Sequence, residues 1–189
     1  MSHLSGLVKQ VAQARQNFIA AASGLTDEQT NFKPSPDAWS VNENVEHIVW
    51  AEWGGINGMW KAIKGIKTGN PVFTGEDVHR GLSIEEIIEK TWQPKEQVSE
   101  IAKPRWGGPV QYWISALDAC QLMLEALTKE MEGVDPEKII NPHVLSGPLN
   151  ALQRLEFLRF HLQRHQRQIE NIRMDSHFPK KGTEYSSFV

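Results

Sequence analysis

The segment Phe157–Ile172, FLRFHLQRHQRQIENI, decides the fold class of this 189-residue chain and poses its chemical question. At about 100° per residue, Leu158, His161, Leu162, Ile169 and Ile172 all fall within about 60° of His165. The segment is therefore an amphipathic helix whose apolar stripe carries two histidines one turn apart. Both imidazoles face the interior against which that stripe is buried.

Working outward, Ser146-Gly-Pro148 supplies a start signal, because proline tolerates the first helical position, and the helix is expected over Pro148 to about Met174. Leu4, Leu7, Val8, Val11, Ala14, Phe18, Ile19 and Ala22 recur at spacings of three and four, predicting a helix over Leu4–Ala22 that Gly24 stops. A short helical turn capped by Thr26 is confined by Pro34 and Pro36. Ser40-Val-Asn-Glu43 is a capping box that opens a helix running to about Ile66, and Ser83-Ile-Glu-Glu86 is a second one, opening a short helix to about Trp92. Proline and glycine make 93–109 an irregular connector. Val110–Met131 is helical again, with Trp113, Leu117, Cys120, Leu124 and Leu127 on one stripe and Gly133 as terminator. No stretch alternates with period two. Four long amphipathic helices joined by mostly polar connectors predict an all-α four-helix bundle with short extra helices in the connectors, and the length suits a single domain over 1–189.

Composition narrows the function. A hydrophobic content of 40% with 23% charged residues is ordinary for a globular chain, and the net charge of −3 lacks the basic footprint that nucleic-acid binding requires. No apolar run is long enough for a membrane span and the N-terminus has no signal-peptide core. The lone Cys120 excludes an internal disulfide and fits a reducing compartment, so a soluble cytoplasmic protein is expected. Seven tryptophans against two tyrosines suit a core, a pocket wall or a subunit interface equally well.

Two imidazoles at i and i+4 can chelate one metal, but seven histidines in this length make the pair a weak motif by itself. His47 strengthens it. Glu43, Ala51, Gly54 and Gly58 lie within about 40° of His47 around its helix, whereas Val45, Val49, Ile56, Trp60 and Ile63 lie opposite. That face carries almost no bulk, although each glycine in a helix costs roughly 1 kcal/mol relative to alanine. Close helix packing, room for a ligand, or a helix break at Gly54-Gly55 would each account for it. His47, His161 and His165 would together supply three neutral nitrogen ligands from two helices and leave coordination positions open, as a catalytic rather than structural metal requires. Glu43 and Gln168 are placed to orient them, or are surface residues.

Other chemistries fit less well. A zinc protease of the HExxH type needs glutamate at position 162, which is Leu162. A ferritin-like di-iron site needs Glu-x-x-His, and the residues three before His47 and His161 are Asn44 and Leu158. Cys120 is a conceivable nucleophile, but its apolar stripe favours an inert core thiol. His3, His79 and His177 carry no spacing signal, and His143 stands within reach of the bundle mouth.

Two separated patches resemble a known family. Leu25-Thr26, Trp39-Ser40 and His47-Ile48 form the first; Gly147-Pro-Leu-Asn150 with His161-x-x-Arg164-His165-x-x-Gln168-Ile169 forms the second. Together they are similar to the DinB/YfiT-like superfamily of bacterial metalloenzymes. The resemblance implies an up-down four-helix bundle, often a homodimer, holding a divalent metal such as zinc or nickel through His47, His161 and His165. It further implies thiol-dependent chemistry on a small-molecule substrate, since characterised members attach bacillithiol or mycothiol to electrophiles or isomerise maleylpyruvate with mycothiol. A metal-dependent S-transferase using a low-molecular-weight thiol is thus the leading expectation. A non-catalytic, stress-related metal-binding or dimerisation bundle is the alternative. The 93–109 connector and the Gly54-Gly55-x-x-Gly58 cluster have no counterpart in the motifs and are expected to shape substrate choice.

Overall fold

Capping chemistry sets where the helices begin. The computed structural model describes residues 3–92 and 98–180, so the first five residues of the 93–109 connector lie outside the described residues. Among the described residues the α-helices are α1 (His3–Ala22), α2 (Asp27–Asn31), α3 (Val41–Lys67), α4 (Ile84–Thr91), α5 (Val110–Glu130) and α6 (Ala151–Arg173). Reciprocal capping boxes start α2 at Thr26, α3 at Ser40, α4 at Ser83 and α6 at Asn150. In each, a side-chain oxygen and the side chain three residues on satisfy backbone donors that no helical carbonyl can reach.

The chain is mostly helical, with one departure from the all-α expectation. The start signal at Pro148 does not open α6; Ile140–His143 (β1) and Gly147–Asn150 (β2) pair as an antiparallel hairpin, and the helix begins three residues later. Pro142 faces Pro148 in this ladder, and two prolines without N–H groups hide a strand signal from any reading of residue pattern. Tertiary contacts hold the hairpin instead. Gln153 donates to the carbonyls of His79 (2.7 Å) and Leu82 (3.1 Å), while His79 Nε2 donates to the Ser146 carbonyl at 2.7 Å. His79, unremarkable by spacing, is thus a buried brace.

The four long helices share one core. α1 packs on α5 and α6, and α3 packs on the same two helices. The stripe Trp113, Leu117, Cys120, Leu124 and Leu127 of α5 is fully buried, as its periodicity predicts, against Val45, Val49, Ile56 and Ile63 of α3 and Val11 and Phe18 of α1. Each such aliphatic side chain contributes roughly 1.5–3 kcal/mol on leaving water. Among the described residues one ion pair lies inside this core: Arg15 Nη2 donates to Glu52 Oε2 at 2.5 Å, and both residues are buried. Burial pushes the Glu52 carboxyl up, against the pull of Arg15. Burial likewise pushes the Cys120 thiol up, and its S–H donates to the Ala116 carbonyl at 3.4 Å, so Cys120 is a core thiol and no nucleophile.

Candidate metal centre

Helices α3 and α6 bring His47, His161 and His165 together. One ring nitrogen from each lies within 4.8 Å of the others, and all three residues are buried. The Nε2 atoms of His47 and His161 are 3.2 Å apart. Nitrogens bound at about 2.0–2.1 Å to one tetrahedral ion are separated by about 3.3 Å, so this edge already has the dimension of a metal site.

The outward ring nitrogens are fixed by neighbours that sequence spacing does not reveal. His47 Nδ1 is 2.7 Å from the Ala102 carbonyl, which only accepts, so the proton sits on Nδ1 and the Nε2 lone pair is free. His165 Nδ1 donates to Asn44 Oδ1 at 2.8 Å, and Asn44 in turn donates to the Ser40 carbonyl at 2.8 Å. His161 Nδ1 is buried without a partner, and its ring stacks on Phe157 with centroids 5.2 Å apart. Of the two orienting candidates read from spacing, Gln168 lines the cavity together with His165, whereas Glu43 belongs to the α3 capping box and pairs with Lys33 at 2.6 Å. Asn44 counts against a di-iron motif in the sequence, and its orienting role emerges only when α6 is packed beside it.

The three imidazoles open onto a cavity of about 580 Å³, walled also by Trp39, Trp92, Phe157 and Arg154. Trp39, the residue before the α3 cap, lies 4.8 Å from the His47 ring and 6.1 Å from that of His165, centroid to centroid. His143 reaches the cavity, as its place before α6 predicts, but its Nδ1 accepts the N–H groups of Leu145 (3.3 Å) and Ser146 (3.1 Å). It is not among the three converging residues.

The connector closes over this wall through Glu46. This buried carboxylate accepts the backbone N–H groups of Arg105, Trp106 and Gly107 at 2.7, 2.8 and 2.9 Å, and the Trp50 indole N–H at 3.1 Å. Burial alone would raise its pKa, but these donors together outweigh it and hold the carboxyl below its ordinary value. Asn42 Nδ2 donates to the Gly108 carbonyl at 2.6 Å, and the Arg105 guanidinium lies 4.1 Å over the Trp50 ring.

The small face of α3 has two uses. A Cβ on Gly58 would overlap the Asn141 side chain of β1, so this glycine allows close packing. Gly54 meets nothing within 4 Å and, with Gly55, lines the cavity; the helix does not break there. Gly54→Ala is therefore expected to stabilise the fold by about 0.5–1 kcal/mol. Gly58→Ala is expected to cost about 1–2 kcal/mol despite its better helix propensity, and Asn141→Ala should recover most of that in the double variant, measured by urea denaturation.

Burial also sets the protonation states. It pushes His47 down to about 4, only partly opposed by the bond to Ala102, and it pushes His161 and His165 well below their usual range. All three imidazoles are neutral near pH 7, as ligation requires. Because the unfolded chain takes up protons near pH 6.5 and the folded one does not, stability in metal-free protein is full above pH 6.5 and falls as pH drops toward 4. His47 alone is expected to remove about 2 kcal/mol by pH 5. Urea midpoints of chelator-treated protein between pH 7.5 and 5 check this; a flat profile contradicts it.

The sequence pattern of the DinB superfamily matches residues 10–169, and the chain belongs to that superfamily. It is 25% identical over 168 residues to the uncharacterized protein YuaE of Bacillus subtilis (strain 168), an alignment covering 85% of this chain and 93% of that protein. Among solved structures it is similar to a conserved protein from Enterococcus faecalis, with a TM-score of 0.51 at 15% identity over 92% of this chain and 96% of the other, a likeness of fold. Among the described residues no helix is long and apolar enough to cross a membrane.

Proposed function

We propose that the chain is a metal-dependent enzyme of the thiol S-transferase type, in which His47, His161 and His165 hold a divalent ion, zinc or nickel, at the wall of a small-molecule chamber. The observation that carries this reading is the convergence of three buried, neutral imidazoles on one cavity. When bound, such an ion supplies the Lewis acidity that lowers the pKa of a low-molecular-weight thiol or of water. The Ala102 carbonyl and Asn44 hold His47 and His165 in the tautomer that presents Nε2. Trp39, Trp92 and Phe157 give the chamber apolar walls, and polar interactions are stronger beside such walls than in open water. The inert Cys120 leaves the nucleophile to an external thiol. The same reading takes 1–189 as one cytoplasmic domain with the four long helices in up-down order.

Metal-loaded protein incubated with a panel of low-molecular-weight thiols and a generic electrophile is expected to consume thiol faster than metal in buffer, and His165→Ala to abolish the difference. Bound metal without thiol consumption under any condition would favour a second reading, a non-catalytic metal-binding or dimerisation bundle. That reading draws on the exposed Ile101, Trp106 and Tyr112 around the connector, a surface suited to a homodimer. Sedimentation against concentration measures that association.

A further inference from the structure

One charged group in the chamber has no counterpart in the metal chemistry. Arg154 lies on the interior stripe of α6, two turns before His161 and about 10 Å from it along the axis. Only 4% of the residue is exposed. Its Nη2 donates to the carbonyls of Asn141 (3.2 Å) and Pro142 (3.3 Å), and its Nε is buried without a hydrogen-bond partner. Among the described residues no carboxylate pairs with it. The charged side chains that line the cavity among the described residues are Arg154, Arg164 and one carboxylate, Asp37, which is exposed at the rim.

Two neutral carbonyls would be served as well by a neutral donor, so bracing the hairpin does not account for a guanidinium. A buried cation without a counter-charge is unfavourable, and an incoming anion relieves it. The planar fork of arginine matches a carboxylate in particular. His143 adds to this end of the cavity: its Nδ1 accepts two backbone N–H groups, so its ring proton is on Nε2 and available to donate.

We propose that the chamber binds a small molecule through a carboxylate anchored on Arg154, with the body of the molecule extending toward the three histidines that line the same cavity. This rests on the chamber being the substrate site, as the functional reading holds, but not on the identity of the metal. The apolar walls between the two ends suit a hydrophobic or aromatic body.

Phenylacetate and its neutral counterpart phenylacetamide test this by calorimetric titration of the full chain, metal-loaded and chelator-treated. Phenylacetate is expected to bind at least tenfold more tightly than the amide in both forms. Arg154→Met should erase that preference and Arg154→Lys should keep part of it. Because Arg154→Met also removes two hairpin hydrogen bonds, the parent protein provides a second readout: the Arg154 Nε–H resonance, assigned by its absence from Arg154→Lys, should shift with phenylacetate and not with the amide. Equal affinities for the two probes, an unmoved resonance, or a preference that needs metal and survives Arg154→Met would each overturn the proposal. Failure of the metal reading leaves the preference of chelator-treated protein in place, so the two failures are distinguishable.

Discussion

Replacing His165 by alanine is expected to strip the protein of its metal. Untagged wild-type protein should carry about one divalent ion per chain by elemental analysis, and His161→Ala or His165→Ala less than about a tenth of that at the same concentration. Partners that merely orient a ligand change metal affinity about 10–100-fold, so loss of a ligand should cost at least the upper figure. Two remaining imidazoles, one on each helix whichever of the α6 pair is kept, also fail to enclose the ion. Asn44→Ala tests the outer layer: it removes the acceptor of His165 Nδ1–H without touching a ligand, and the expected loss is about 10–100-fold. Fold integrity is checked by far-ultraviolet circular dichroism. Substoichiometric metal that neither alanine substitution alters would sink the site.

Glu46→Ala is expected to have the largest effect on stability outside the apolar core. The carboxylate is the shared acceptor of three consecutive backbone N–H groups and one indole. Removing it leaves those donors unsatisfied or forces the connector into water. Each donor kept from water costs about 1–3 kcal/mol, and because Arg105, Trp106 and Gly107 are exposed residues that water can reach on relaxation, the expected total is about 3 kcal/mol. Glu46→Gln keeps an acceptor oxygen without the charge and should fall in between. The consequence reaches the metal centre, because Ala102, whose carbonyl fixes the His47 tautomer, lies only three residues before Arg105 in the same clamped segment. Metal affinity of Glu46→Ala should therefore drop about tenfold alongside the denaturation midpoint. An unchanged midpoint would contradict the clamp.

The helices were legible because their signals are local. Ser40 and Glu43 sit three residues apart and cap each other whatever the rest of the chain does. The α5 stripe repeats every three or four residues because one face must leave water. The histidine pair on α6 and the bulk-free face around His47 follow from the same periodicity, and the family signature around Arg164 and Gln168 joined them. The hairpin was not legible: its strands are four residues long and interrupted by prolines, and buried contacts from His79 and Gln153 brace it. Arg154 had a signal, since it shares a helix face with Leu158, His161 and His165. Its meaning depended on the absence of a carboxylate partner among the described residues, which only the packed structure reveals.

By itself, then, the sequence determined the starts of α3 and α4 set by their capping boxes, the apolar stripes, the family, and the residues able to converge as nitrogen donors. Tertiary structure decided which atoms around the donors matter: the Ala102 carbonyl and Asn44 on the imidazoles, Glu46 beneath the connector, Asn141 against Gly58, and the buried Nε of Arg154 without a hydrogen-bond partner among the described residues. The physical reason is range. Helix periodicity and capping act over three or four residues, whereas a carbonyl 55 residues from its histidine or an asparagine 121 residues from its own leaves no mark on local pattern. Such contacts exist only once the hydrophobic core has brought the helices together.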